Sequence, residues 1–354
     1  MTVLENIPLA QYTTLGVGGP ARWFVRVTQE SELQEAVAFA RLHSAPLFVL
    51  GGGSNLLISD DGFPGLVIQA DFGGPVHNDL RTQTSPVKFD VPSGLGWDQF
   101  VEMTCRAGYT GIECLAGIPG LVGGTPVQNV GAYGQEVSQT INSVRVLDLK
   151  TLKFQTLSSE QCGFAYRTSI FNTTHRGRYV VTRVSFEFAL DATPTLTYAD
   201  LLKHFKGQPT PTPLQISDAV RAIRRSKGML LVKGDSDSNS AGSFFKNPIV
   251  DQEAVSRIAT ALSIAPTEVA NWPAANGSIK LSAAWLVERA GFHKGFQMGR
   301  AGISTKHTLA LVNLGGATAA EVVALRDAVI LGVENLFQIR LEQEPVMLGF
   351  VPLR

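Results

Sequence analysis

Charge of one sign is missing from this sequence: Lys and Arg together number 30, Asp and Glu 30, for a formal net charge of zero. That balance removes the electrostatic footprint expected of a protein whose main partner is DNA, RNA or an anionic membrane surface. Cysteine is scarce, with only Cys105, Cys114 and Cys162, too few and too scattered for a disulfide framework or a zinc site. The six histidines show no paired spacing, so no metal is expected. No apolar run approaches the roughly 20 residues that a membrane helix needs. The opening MTVLENIPLAQYTTLG has neither a basic stretch nor a long apolar one, so no signal peptide is expected. A Gly-Lys dipeptide is absent, which excludes a Walker A loop, and so is a Gly-x-Ser-x-Gly elbow, which argues against a hydrolase. What remains reads as a cytoplasmic soluble enzyme.

Hydrophobic residues make up 44% and charged residues 17% of the chain, far from a disordered composition. A length of 354 residues exceeds what one typical core organises, so more than one domain is expected. Ser31 with Gln34 reads as a capping box opening a helix over 31–44, followed by a buried strand at Leu47–Leu50 and another at Leu66–Ile68. Trp97, Phe100, Val101 and Thr104 suggest a second helix. Short β-type runs follow at 144–149, 154–157 and 179–190. The alternating prolines of 208–213 can neither feed a sheet nor continue a helix, and mark the clearest boundary. A helix over 214–225 comes next, with Ile216, Val220 and Ile223 apolar and Arg221, Arg224 and Arg225 polar. Thr318 and Glu321 cap a helix over 318–337 whose Val322, Leu325, Val329, Val333 and Phe337 keep the helical period. A last strand is expected from about 339 to 351. The pattern is α+β, divided at about 213.

Glycine supplies 35 of the 354 residues, about a tenth of the chain where roughly 7% is usual. Gly51, Gly52, Gly53, Ser54 and Asn55, directly after a strand, have the form of an anion cradle, because successive glycines let backbone N–H groups converge on phosphate oxygens. An ordinary tight turn is the alternative. Residues 16–21 match the loose dinucleotide pattern, but a poor strand precedes them and Pro20 would fall inside the required helix. The stretch 116–134 is longer than most structureless loops. Its polar side chains, Thr125, Gln128, Asn129 and Tyr133, suit hydrogen bonding rather than charge, as for a large planar cofactor held by backbone amides; a purely structural loop is the alternative.

Taken together, TTLGVGGPA (13–21), LGGGSNLLISDDGFPGLVI (50–68), the loop 116–136, FAYRTSIF (164–171), AGSFFKNP (241–248), NGSIKLSAAWLVERAGFHKG (276–295) and RLEQEPVMLG (340–349) resemble the UDP-N-acetylenolpyruvoylglucosamine reductase (MurB) family. The runs span nearly the whole chain in order. The resemblance implies an FAD-binding domain of the vanillyl-alcohol-oxidase (PCMH) type over 1–213, with subdomains of about 1–75 and 76–213. It implies a substrate-binding α+β domain over 214–354, to which the terminal strand contributes by returning to the active site. It further implies NADPH-driven reduction of an enolpyruvyl ether on a UDP-sugar to UDP-N-acetylmuramate, the peptidoglycan precursor. An oxidase or dehydrogenase of a hydroxy acid or alcohol on the same fold is the alternative.

The implied FAD contacts are Gly51, Gly52, Gly53, Ser54, Asn55, Leu56, Gly117, Ile118, Pro119, Gly123, Gly124, Thr125, Gln128, Asn129, Gly131, Ala132 and Tyr133. Reducing the double bond leaves enolate-like charge that fixed donors must stabilise. Ser243 is the implied general acid, a role contributing roughly 10²–10⁴-fold. Arg167 has the planar fork that suits the substrate carboxylate. Glu344 is the expected carboxylate of the terminal strand; Glu342, two residues away and on the same strand face, is its understudy. Here the family's Leu-Glu-Pro-Glu-Val is replaced by Leu341-Glu342-Gln343-Glu344-Pro345-Val346. Tyr198 matches the tyrosine that closes over substrate in the longer branch of the family. Lys227, or Lys233 in another register, would reach the pyrophosphate; Asn247, Trp272, Lys280 and His307 complete the implied substrate contacts, His307 standing where glutamine is frequent. A solvated helix face is the alternative for Arg221, Arg224, Arg225 and Lys227.

Overall fold

The computed structural model describes residues 1–78, 86–189 and 193–350, so position 190 of one expected strand and 351 of another lie outside the described residues. The chain forms two compact units. The first comprises Met1–Ile7, Ala21–Gly53 and Pro64–Ser226; the second comprises Pro8–Pro20, Ser54–Phe63 and Lys227–Arg354.

In chain order the elements begin with strands β1 (Leu4–Pro8) and β2 (Pro20–Val27), helix α1 (Glu30–Leu42) and strand β3 (Leu47–Leu50). Strand β4 (Leu56–Ile58) falls in the second unit and precedes β5 (Phe63–Ala70). One sheet of the first unit has the order β1-β2-β5-β3, with β3 parallel to β5. Leu33, Ala36, Val37 and Ala40 of α1 are buried against Trp23, Val25 and Val27 of β2 and Leu66 and Ile68 of β5. The expected Ser31–Gln34 box does not form. The helix starts one residue earlier, at Glu30, and Glu32 Oε2 reaches back to accept from Thr28 N at 2.8 Å and Thr28 Oγ1 at 2.9 Å.

The second sheet takes β6 (His77–Asn78), β7 (Val87–Pro92), β10 (Ile141–Asp148), β11 (Lys153–Ser158) and β12 (Tyr179–Phe188), in the antiparallel order β11-β10-β12-β7-β6; helix α2 (Trp97–Arg106) and the hairpin β8 (Gly131–Ala132) and β9 (Gln135–Glu136) lie between β7 and β10 in sequence. Along β12 burial alternates: Val184, Phe186 and Phe188 face inward and Arg183, Ser185 and Glu187 do not, the period of two that a half-buried strand requires. Phe186 pairs with Phe89 of β7, and both pack with Trp97 and Phe100 of α2.

Helices α3 (Ala199–His204) and α4 (Pro213–Ser226) close the first unit. The proline run does not end the unit, as the sequence suggested. Its last member, Pro213, opens α4, and Thr212 and Gln215 cap that helix reciprocally, Gln215 Oε1 accepting from Thr212 N at 2.8 Å and Thr212 Oγ1 from Gln215 N at 3.3 Å. Proline at the first helical turn forfeits no hydrogen bond. Ile216, Ala219 and Val220 then join the core that holds Trp97 and Phe186, so the division falls after Ser226.

The second unit holds β13 (Ile249–Val250), α5 (Gln252–Leu262), β14 (Asn271–Pro273), β15 (Ile279–Leu281), α6 (Ala283–Arg289), β16 (Gln297–Met298), β17 (Ala301–Ile303), β18 (Leu311–Asn313), α7 (Ala319–Phe337) and β19 (Val346–Leu348). Its sheets have the orders β13-β15-β14 and β16-β17-β18, and β19 pairs in parallel with β4. The Thr318–Glu321 box forms as expected, and all five periodic residues of α7 are buried. At roughly 1.5–3 kcal/mol for each large apolar side chain, that stripe dominates what holds the helix. Among the described residues 339–350 of the expected last strand, only Val346–Leu348 is strand; before it the backbone makes a single bridge, Phe245 with Gln343, and Gln343 Nε2 donates to Pro345 O at 2.9 Å. Gly16–Gly19 leads into strand β2 and not into a helix, which removes it as a dinucleotide site.

Candidate active site

Two glycine loops of the first unit meet main chain to main chain. A Cβ on Gly52 would stand 2.6 Å from Gly120 Cα, and one on Gly123 would stand 2.4 Å from Ser93 Cβ. Both approaches exclude any larger residue. Gly51 and Gly52 remain exposed. Ser93 N donates to Thr182 O at 3.0 Å and Gly123 N to Ser93 O at 2.9 Å, yet Ser93 Oγ, buried, has no hydrogen-bond partner among the described residues. An orphaned buried hydroxyl costs about 1–3 kcal/mol. The sequence reading passed over it, since a lone serine in a turn carries no local signal.

Several expected cofactor residues prove to hold the loop in shape. Asn129 is fully buried and stands at φ +44°. Its Nδ2 donates to Glu136 Oε2 at 2.8 Å and to Ala165 O at 3.1 Å, and its Oδ1 accepts from Ser138 N at 3.1 Å. Thr125 Oγ1 donates to Val122 O at 2.8 Å. The side chains of both residues therefore bond within the protein itself. Gly117 N donates to Asp98 Oδ1 at 2.6 Å; Ile118 and Pro119 are half-buried, as are Gln128, Gly131 and Ala132, whereas Gly124 is exposed.

Arg167 lies at the tip of a tight turn, Ala165 and Thr168 exchanging both backbone hydrogen bonds at 2.9 Å. Its φ is +54°. Its Nη2 donates to Gly131 O at 2.8 Å and its guanidinium sits 5.2 Å from the Tyr166 ring centre. Tyr133, also at positive φ, meets Tyr198 edge to face at 5.0 Å. The structure thus joins a residue expected at the cofactor with one expected at the substrate. Tyr198 precedes α3 and is 42% exposed.

Arg224 departs most from expectation. Rather than lining a solvated face it is 5% exposed, and its Nε donates to Gly117 O at 3.0 Å. Burial pulls the guanidinium below its usual pKa, while Tyr133, hydrogen-bonded to it, and Asp98 act in the opposite direction. Arg221 beside it is held by Asp98, Nη2 to Oδ1 at 2.9 Å. The signal was present in sequence: positions 216, 220 and 224 share one four-residue row of the helix, so Arg224 extends the buried stripe. Arg225 is exposed.

In the second unit, Ser243 Oγ lies 3.0 Å from His307 Nε2. The serine's strand-like segment is held on both sides, Phe244 N donating to Leu309 O at 2.7 Å and Glu344 N to Phe244 O at 2.8 Å. Asn55 donates from Nδ2 to Glu344 O at 3.4 Å and accepts at its carbonyl from Val346 N at 3.0 Å. Ser243, His307, Glu344 and Asn55, from four separated parts of the sequence, are thereby brought together; Leu56 follows in β4, and Ser54 is half-buried. Glu342 and Glu344 do not share a strand face, because the segment is not a strand. Glu342 is exposed and pairs with Lys246 at 3.3 Å, whereas Glu344 is half-buried.

The remaining expected contacts are more dispersed. Asn247 Oδ1 accepts from Ala283 N at 2.9 Å, at the start of α6. Trp272 of β14, 50% exposed, pairs across the sheet with Lys280 of β15, which also pairs with Ile249 of β13. Lys227 is half-buried and Lys233 exposed; next to Lys227, a Cβ on Gly228 would lie 3.2 Å from Asp237 Cβ and 3.3 Å from Ser304 Oγ. That places Gly228, the neighbour of Lys227, beside the loop that carries His307. The three thiols are buried, and burial pushes each up to about 12. Among the described residues no cluster of His, Cys, Asp and Glu could hold a metal ion, and no helix is long and apolar enough to cross a membrane.

A UDP-N-acetylenolpyruvoylglucosamine reductase of Thermobifida fusca is 47% identical to this chain over 352 residues, covering 98% of both. The chain belongs to that reductase family. A relative with the same description from Saccharopolyspora erythraea is 43% identical over 96% of this chain and 94% of its own. The C-terminal-domain model of these reductases matches residues 234–348, and the model of an FAD binding domain matches 21–152. The crystal structure of the reductase from Thermus caldophilus superposes with a TM-score of 0.64 at 29% identity, covering 98% of each chain. The reductase family's mixed α+β class, with an FAD-binding domain in its first half, agrees with the expectation from sequence.

The residues of the first unit fit FAD. The exposed glycine backbone at Gly51 and Gly52, the close approach to Gly120 and the unpartnered Ser93 hydroxyl are features of a cradle for an anionic, hydrogen-bonding ligand.

Proposed function

We propose that the chain reduces the enolpyruvyl ether of UDP-N-acetylglucosamine-enolpyruvate to UDP-N-acetylmuramate, with NADPH as reductant and FAD as cofactor, acting as a monomer in the cytoplasm. FAD held there would supply two-electron hydride chemistry between NADPH and the sugar's double bond. The first unit serves the flavin, through the glycine backbone of 51–53 and 117–124, the Ser93 hydroxyl and the hairpin region of 131–133. The second unit serves the UDP-sugar, with Lys227 at the pyrophosphate and Asn247, Trp272 and Lys280 at the nucleotide. Tyr198 closes over the sugar. Arg167 takes the carboxylate in its planar fork and offsets the charge that develops beside it. Ser243 delivers the proton to the carbon next to the carboxylate, and Glu344 polarises that carboxylate.

The observation that carries this reading is Ser243 itself: a hydroxyl in hydrogen-bond contact with an imidazole, on a segment fixed between the backbones of Leu309 and Glu344. A serine fixed in this way serves a positioned proton transfer. The test is the visible spectrum of the purified protein. A flavin absorbance that NADPH bleaches without oxygen, and that the enolpyruvyl sugar restores, is the expected outcome. Ser243→Ala keeps the bleaching and slows the restoration by roughly 10²–10⁴-fold. A flavin reduced by an alcohol or hydroxy acid and untouched by NADPH would replace the reading with an oxidase.

A further inference from the structure

We infer that His307 is a positioning residue that holds Ser243 in its proton-donating orientation and returns to it the proton it gives away. The inference rests on the proposed reductase reading and concerns a step that reading leaves incomplete. A serine that protonates a carbanion becomes an alkoxide, and an alkoxide in a partly buried site needs an immediate proton source. His307 Nε2 is 3.0 Å from Ser243 Oγ, within reach of direct transfer.

The loop that carries the imidazole is fixed by backbone and side-chain hydrogen bonds. Asp237 accepts from Thr305 N and from Thr305 Oγ1, both at 2.7 Å. Ser304 Oγ accepts from Lys306 N at 3.1 Å and from His307 N at 3.2 Å, and Ala310 N donates to His307 O at 3.0 Å. Lys306 Nζ is tied to Asp235 at 2.7 Å and Asp237 at 3.4 Å. The same loop continues into Leu309, whose carbonyl accepts from Phe244 N at 2.7 Å. Donor and relay are therefore registered against each other by backbone, and not only by their own side chains. The charged groups on the elements packed about this loop are Lys306, Asp235 and Asp237, Glu288 of α6 (hydrogen-bonded to Thr308 Oγ1), Lys227 and Glu344.

With His307 as imidazolium, Nε2–H donates to Ser243 Oγ. The Ser243 O–H bond breaks as the new C–H bond forms from the enolate electron pair. The oxygen then takes the Nε2 proton, leaving neutral imidazole. The negative charge of the enolate and the positive charge of the imidazolium cancel, and serine ends as it began. The titrating group in this step is an imidazole, the side-chain type whose unperturbed titration falls near pH 6.5.

The test follows reoxidation of the dithionite-reduced flavoprotein by the enolpyruvyl sugar in single turnover, without oxygen, from pH 5.5 to 9. The wild-type rate should fall about tenfold per pH unit above the imidazole's titration. His307→Gln keeps a polar partner for Ser243 Oγ but carries no titrating proton; its rate should be lower at acid pH and flat across the range. Thr305→Ala loosens the loop without touching the imidazole and should lower the rate while retaining the wild-type slope. Bound-flavin absorbance and melting temperature report that each variant is folded. A His307→Gln profile parallel to wild type overturns the inference, as does a Thr305→Ala profile as flat as His307→Gln, which would assign the effect to loop order. Failure of the sugar to reoxidise wild-type flavin at any pH sinks the reductase reading itself.

Discussion

At Arg167 a large charged side chain occupies a backbone position, φ +54°, that glycine would fill without penalty. The left-handed region costs an L-residue roughly 1–2 kcal/mol, and such strain clusters where function demands it. Arg167→Gly removes that strain and also removes the hydrogen bond to Gly131 O, worth about 0.5–1.5 kcal/mol. The two nearly cancel, so the melting temperature should move by no more than a few degrees while sugar reduction falls by at least about 10²-fold; a melting scan beside single-turnover reoxidation checks both. A large loss of stability would show Arg167 to be structural. Arginine at this place was legible in sequence as a candidate because apolar runs flank it; its strain was not, since φ is set by the Ala165–Thr168 closure. Asn129 shows the reverse. A polar residue in a glycine-rich loop suggested a ligand contact, and its carboxamide proves to bond Glu136, Ala165 and Ser138.

At the level of elements, the two glycine loops behave as one unit because neither tolerates a side chain toward the other. Gly52→Ala puts a methyl 2.6 Å from Gly120 Cα, a backbone neighbour that cannot rotate away. The loops must separate, so the expected result is loss of bound flavin with the remaining fold intact, read as the flavin-to-protein absorbance ratio and circular dichroism. The 304–307 loop depends on Asp237. Burial disfavours its charge, but the bonds from Thr305 and Ser304 and the Lys306 ammonium outweigh that and hold its carboxyl below the usual carboxylate range. The group therefore contributes stability in full above its unfolded value, near 3.8, and loses it as pH falls through the lower folded value. Asp237→Asn should cost about 1–3 kcal/mol at pH 7 and progressively less below pH 3.8, seen as converging melting temperatures in an acid series.

For the whole molecule, the proposed function has NADPH and the UDP-sugar use one flavin in turn. Initial rates measured against both substrates should then give parallel reciprocal lines; intersecting lines would mean that both bind together. The chain's two units are also not two stretches of sequence. Pro8–Pro20 and Ser54–Phe63 belong with Lys227–Arg354, so the loop of residues 51–55 carries its glycines in one unit and Ser54 and Asn55 in the other. A linear reading placed the division at the proline run; α4 overrides it by burying Ile216, Ala219 and Val220 in the first unit's core.

Sequence alone determined the mixed α+β class, the helix of residues 319–337 with its Thr318–Glu321 box, the strands with alternating burial, and the motifs that place the chain in its family. These are local facts: periodicity, capping and turn chemistry act over a few residues and leave their record there. Tertiary structure decided the rest. It alone joined Ser243 to His307, paired the backbones of Glu344 and Phe244, buried Arg224 against Gly117 and left the Ser93 hydroxyl without a partner among the described residues. The first three depend on chain segments distant in sequence arriving at hydrogen-bond distance, and hydrogen bonds act only over the last ångström, after packing has chosen the neighbours.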